Sequence, residues 1–132
     1  MKDKRILIDT SVWINYFKDG DRRFAEKVDE VLTFSAVYVP RVVLAELILG
    51  AKSEKEISVI EEFVGAFKII DQTEDTWIKA GKVSFSMKKK GITVNIVDCY
   101  IAVIAHENNC MIFSLDEHFK SIKKFIRFEM FV

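Results

Sequence analysis

Short apolar runs alternate with longer stretches of helical periodicity along the whole of this sequence, and that alternation limits the fold more than any other feature. Arg5 to Ile8, Val37 to Val39, Lys68 to Ile70 and Met111 to Phe113 read as strands, and Phe125 to Val132 alternates well enough to close the set. Between the first two, Val12, Trp13, Tyr16 and Phe17 recur at helical spacing up to the turn signal Asp19-Gly20. Phe24, Val28, Val31 and Leu32 then stripe a second helix with Asp21 as its N-cap. Pro40 stands where a helix over Arg41 to Leu49 can begin, and Gly50 where it ends. Ile57, Ile60, Val64 and Phe67 mark another helix. Thr73, with Glu74 and Asp75 in the first turn, opens one that runs to Lys88-Lys89-Lys90 before Gly91. From Asn95 to Asn108 the chain is apolar nearly all round, which predicts a central, buried helix, and Asp116 to Lys120 starts a loop or short helix. Strands separated by helices need crossover connections. The expected fold is therefore α/β, a three-layer α/β/α arrangement around a mostly parallel sheet of about five strands, with residues 1–132 forming one domain.

Half of the 132 residues are hydrophobic, enough for a core without disulfides or a structural metal. No apolar run approaches the roughly 20 residues that cross a bilayer, so no membrane association is expected. The charged stretch Met1 to Arg5 is followed by only three apolar residues before Asp9, too short for the core of a signal peptide, and the expected location is the cytoplasm. Cys99 and Cys110 lie in apolar surroundings without a CxxC or a nearby His pair, which points to buried free thiols. Twenty Lys plus Arg balance 20 Asp plus Glu, which excludes binding of nucleic acid by bulk charge. Any such contact has to be local. Lys88 to Lys90 and the group Lys120, Lys123, Lys124 and Arg127 are candidates, though a solvated helix end or a solubilising surface is the better explanation of a charge run alone.

Two acidic residues stand where an α/β sheet forms its sites, at the carboxyl ends of strands, and two more open or punctuate apolar helices beside them. Asp9 follows the first strand and Asp116 follows the Met111 to Phe113 strand. Glu46 is the single charge in the apolar run Val42 to Leu49, and Asp98 interrupts the most apolar helix near its start. Each has an ordinary explanation: Asp9 as a helix cap, Glu46 on a narrow exposed face, Asp98 as a capping-box acid three residues after Asn95, and Asp116 as a turn residue. Together they describe one patch of carboxylates that repel by several kcal/mol in partly buried surroundings unless a cation is bound. Oxygen ligands without His or Cys suit Mg²⁺ or Mn²⁺.

The segments Ile8-Asp9-Thr10-Ser11-Val12-Trp13-Ile14, Ala45-Glu46-Leu47 with Gly50, Val97-Asp98-Cys99-Tyr100-Ile101-Ala102 and Phe113-Ser114-Leu115-Asp116-Glu117-His118-Phe119 resemble, in order, the motifs of PIN-domain ribonucleases. The match spans nearly the whole chain, and its length is most similar to the VapC-type toxin of a toxin-antitoxin pair. The resemblance implies a PIN-like fold and a metal-dependent endoribonuclease with Mg²⁺ or Mn²⁺ at Asp9, Asp98 and Asp116. Glu46 would complete the acidic quartet, with hydroxyl support from Ser11 or Ser114. Ser114 stands where relatives often carry Thr, which keeps the hydroxyl. Glu117 is the candidate for a fifth acid, and neither His106 nor His118 is assigned a catalytic role. Further implications are an RNA substrate that is single-stranded or looped, a cognate antitoxin that inserts a peptide near the pocket, and a homodimer. Trp13, Phe17, Phe63 and Phe67 could present a partner surface, although aromatics at helical spacing usually face the core.

Two other function classes compete. A phosphate-accepting receiver or an aspartyl phosphatase also uses strand-end aspartates with Mg²⁺. The receiver wants paired acids after its first strand, and the phosphatase wants Asp-x-Asp, where this chain has Ser11. A non-catalytic PIN-like binding module is the remaining alternative, and the intact quartet argues against it.

Overall fold

A computed structural model of the protein describes residues 4–18 and 20–131. Its five strands, β1 (Arg5–Ile8), β2 (Ala36–Pro40), β3 (Lys68–Ile70), β4 (Met111–Phe113) and β5 (Glu129–Met130), form one sheet in the order β3-β2-β1-β4-β5. Every pairing is parallel. Parallel neighbours require crossovers, and the helices supply them: α1 (Thr10–Phe17), α2 (Arg22–Phe34), α3 (Arg41–Leu49), α4 (Glu54–Phe63), α5 (Thr76–Lys89), α6 (Ile96–Asn108) and α7 (His118–Ile122). The expected α/β architecture is therefore present, with a sheet that is wholly parallel among the described residues.

Strand β1 is central, and Ile6, Leu7 and Ile8 are all fully buried, because helices cover both faces of a parallel sheet. Helix α6 is the other pillar of the core. Seven consecutive residues, Cys99 to Ala105, are buried, as its all-round apolar sequence requires. Asn95 caps its start, accepting from the Val97 N–H, and Asn109 ends it in the left-handed conformation at φ 54°. Cys99 and Cys110 are buried free thiols, and burial pushes both upward from the usual thiol pKa.

Several boundaries differ from expectation. Asp21 does cap α2, accepting from the Phe24 N–H, while the Asp19-Gly20 turn includes a residue outside the described ones. The stripe ending at Phe67 is helical only to Phe63 and then tightens into a 3₁₀ turn over Val64–Ala66. Helix α5 begins at Thr76 rather than Thr73. The Thr76 hydroxyl accepts from the Thr73 N–H at 2.8 Å, a local bond that holds residues 73–75 in a turn and defers the helix. The closing strand is shorter still. Phe125 and Ile126 donate their N–H groups back to Ile122 after α7, so only Glu129–Met130 pairs with β4. Trp13 is fully buried, whereas Phe17 and Phe63, which pack on it, keep 40% and 38% of their surface exposed.

Candidate active site

The strand order reverses at β1, with β2 on one side and β4 on the other, so the carboxyl ends of β1 and β4 flank a crevice at a topological switch point. Asp9 leaves β1 at this point, and Ser114 and Asp116 leave β4 there. Helix α6 runs back toward the start of β4, which brings its first turn, with Asp98, to the same edge. Three of the four acids predicted from sequence converge here. The Asp98 carboxyl is raised to about 6 by burial first and then by the charges of Asp116 and Asp9.

Asp9 is 5% exposed and precedes α1, yet its side chain caps nothing. Its Oδ2 instead accepts from Ser114 Oγ at 2.8 Å and Ser11 Oγ at 3.0 Å. The two hydroxyls lie 3.3 Å apart and are themselves placed by the backbone: Leu115 N–H donates to Ser11 Oγ and Asp116 N–H donates to Ser114 Oγ. Both expected supporting serines therefore act on one carboxylate oxygen. Among the described residues no donor reaches Oδ1.

Glu46 stands apart from this tight group. It is exposed on α3, and Thr10 donates its hydroxyl to Glu46 Oε1 at 2.7 Å, tying the glutamate to the residue beside Asp9. Thr10, given no role of its own from sequence, is thus a linker between two of the acids. Glu117 turns outward, 77% exposed and paired with Lys120 at 2.9 Å, so it adds no fifth acid to the crevice.

His118 is the residue that sequence reasoning passed over. Its Nδ1 lies 3.2 Å from Asp116 Oδ1 and 3.6 Å from Asp98 Oδ2, and its backbone N–H donates to Asp116 Oδ1 at 2.9 Å. The available signal was its place two residues after an acid at a helix start. His106 plays a different part, with Nδ1 2.8 Å from the Arg127 carbonyl, tying the end of α6 to the chain before β5.

The donor set fits a hard divalent cation. Half-buried carboxylates face one another, the Asp98 proton affinity is raised by burial and then by its acidic neighbours, and one oxygen of Asp9 is turned from its hydroxyl partners.

The PIN domain model matches residues 6–125. Ribonuclease VapC1 of Methanocaldococcus jannaschii is 30% identical over 125 residues, covering 94% of this chain and 85% of that protein. Ribonuclease VapC11 of Mycobacterium tuberculosis is 28% identical over 124 residues, covering 90% and 92%. Among solved structures, VapBC2 from Rickettsia felis bound to a DNA fragment from its promoter superposes with a TM-score of 0.78 at 20% identity, covering 97% of this chain and 99% of that one.

Proposed function

This chain belongs to the PIN-domain family, VapC type, and on that premise we propose that it is an endoribonuclease, the toxin of a toxin-antitoxin pair, hydrolysing RNA phosphodiester bonds. The observation that carries the proposal is the convergence of Asp9, Asp98 and Asp116 at the sheet's switch point, with the Asp98 carboxyl raised to about 6 by burial and by the other two. Membership of the family also removes the receiver and phosphatase alternatives, and the whole chain is read as one nuclease domain.

Asp9, Asp98 and Asp116 would hold Mg²⁺ or Mn²⁺, with Glu46 as a further ligand or as the group that orients the attacking water. A divalent cation so held supplies Lewis acidity and charge neutralisation to a scissile phosphate and lowers the pKa of a bound water. The protein's own contribution is placement. Ser11 and Ser114 fix one oxygen of Asp9 and so aim the other, while Thr10 holds Glu46 beside it. Asp116 is held from both sides, since its N–H donates to Ser114 and its Oδ1 accepts from His118 N–H. With zero formal charge, the chain offers no general attraction for RNA, so recognition rests on local shape or a short exposed sequence.

Structures of VapBC complexes superpose on nearly the full chain, which supports an antitoxin partner, and an Arg or Lys of that partner would find its counter-charge in the carboxylates. A homodimer is part of the same proposal. Among the described residues no helix is long and apolar enough to cross a membrane; a cellular RNA substrate would be met in the cytoplasm, the location we propose.

The deciding experiment is cleavage of a mixed cellular RNA pool with Mg²⁺, Mn²⁺ or EDTA, beside Asp9→Asn. Discrete cuts that need metal and disappear in the variant are expected. Equal behaviour of the two proteins would refute catalysis and leave a binding module.

A further inference from the structure

One oxygen each from Asp98 and Asp116 and one ring nitrogen of His118 all lie within 4.8 Å of one another. Around a six-coordinate ion with bonds of about 2.0–2.1 Å, ligand atoms on adjacent corners are about 3 Å apart. The 3.2 Å between His118 Nδ1 and Asp116 Oδ1 is close to that spacing, and the 3.6 Å to Asp98 Oδ2 closes to it with a small rotation of an exposed ring. The main chain supports the arrangement. His118 opens α7, its N–H is bound to Asp116, and Phe119, the next residue, is fully buried in the core.

We propose that His118 is a nitrogen ligand of the metal centre, converting an all-oxygen set into a mixed one that favours Mn²⁺ and later first-row ions over Mg²⁺. The inference rests on the metal-site reading above and deepens it. Mg²⁺ takes oxygen and keeps its waters, whereas imidazole is a better donor to transition ions, so one nitrogen at this corner raises their affinity selectively. To ligate, His118 would be the neutral tautomer with its proton on Nε2, its Nδ1 lone pair directed at the ion between the two carboxylates in place of the contact Nδ1 makes with them here.

The test uses the purified full chain without added activity measurements. Pulsed electron paramagnetic resonance of bound Mn²⁺ reads coupling to an imidazole nitrogen, and calorimetric titrations give the Mn²⁺ to Mg²⁺ affinity ratio. Wild type is expected to show the nitrogen coupling, His106→Ala to keep it, and His118→Ala to lose it, with the affinity ratio falling by about tenfold or more. Metal that binds without imidazole coupling in wild type, or a ratio unchanged in His118→Ala, would overturn the assignment of His118 alone. Mn²⁺ binding that survives both Asp9→Asn and Asp98→Asn would overturn the metal site itself, and the inference with it.

Discussion

Asp98 and Glu107 lie at opposite ends of α6 with side chains of similar burial, 17% and 11% exposed, and their surroundings are opposite in kind. Glu107 is supplied with donors: Thr76 gives its hydroxyl at 2.7 Å and Lys79 its ammonium at 3.1 Å. Asp98 faces Asp116 and Asp9, with only His118 as a counterweight, and its carboxyl rises to about 6. A half-buried carboxylate ringed by donors is complete and fastens α5 to α6. One ringed by other carboxylates is a cost to the fold that a bound cation relieves. The two residues are chemically alike and stand on one helix, so their neighbours alone separate the structural role of Glu107 from the metal-binding role proposed for Asp98.

The sharpest way to break this contrast is to neutralise each acid. Asp98→Asn is expected to lower metal-dependent RNA cleavage by at least about a hundredfold, corresponding to several kcal/mol of charge stabilisation, while keeping the protein folded. Single-turnover cleavage with circular dichroism on the same samples checks both halves. Glu107→Leu should do the reverse. Leaving Lys79 unpaired and the buried Thr76 hydroxyl without its carboxylate acceptor costs about 1–3 kcal/mol in urea unfolding, with cleavage by the folded fraction unchanged. If Glu107→Leu abolished cleavage in folded protein, the division between the two ends of α6 would fail.

Two smaller effects sharpen it. Ser114→Ala removes the shorter of the two hydroxyl bonds to Asp9 and should weaken Mn²⁺ binding by about tenfold, whereas Ser114→Thr should restore it. In protein without divalent ions, the raised carboxyl of Asp98 also predicts a pH effect. Its folded value lies above the unfolded one near 3.8, so the folded state takes the proton first as pH falls. The penalty is full above about pH 6 and relieved as pH falls through that value toward 4. Solvent screening at a half-buried site holds the effect to the order of 1 kcal/mol. The stability difference between wild type and Asp98→Asn should therefore shrink from pH 7 to pH 4.5, and a constant difference would contradict it. Glu117→Ala, at an exposed pair with Lys120, should change neither cleavage nor the unfolding midpoint.

Strand and helix order were legible because period-2 and period-3.6 patterns are local, and caps such as Asp21 and Asn95 announce themselves by residue type. The boundaries that moved did so through contacts a pattern does not carry, the Thr76 hydroxyl holding residues 73–75 in a turn being the clearest. At the site, Asp9, Asp98 and Asp116 could be named because strand ends and interrupted apolar helices mark them. The roles of Thr10 and His118 were hidden, since a hydroxyl or an imidazole near an acid in sequence says nothing about which carboxylate it meets in space.

A mostly parallel α/β fold and an oxygen-rich patch at the carboxyl ends of its strands could be read from residue order alone, because hydrophobic periodicity sets the elements and parallel connection sets the edge they share. Which acids crowd together emerged with the three-dimensional packing. Asp98 and Glu107 are acids on one helix in the sequence, and electrostatic energy depends on distances across the fold, where Asp98 meets two carboxylates and Glu107 meets a lysine and a threonine.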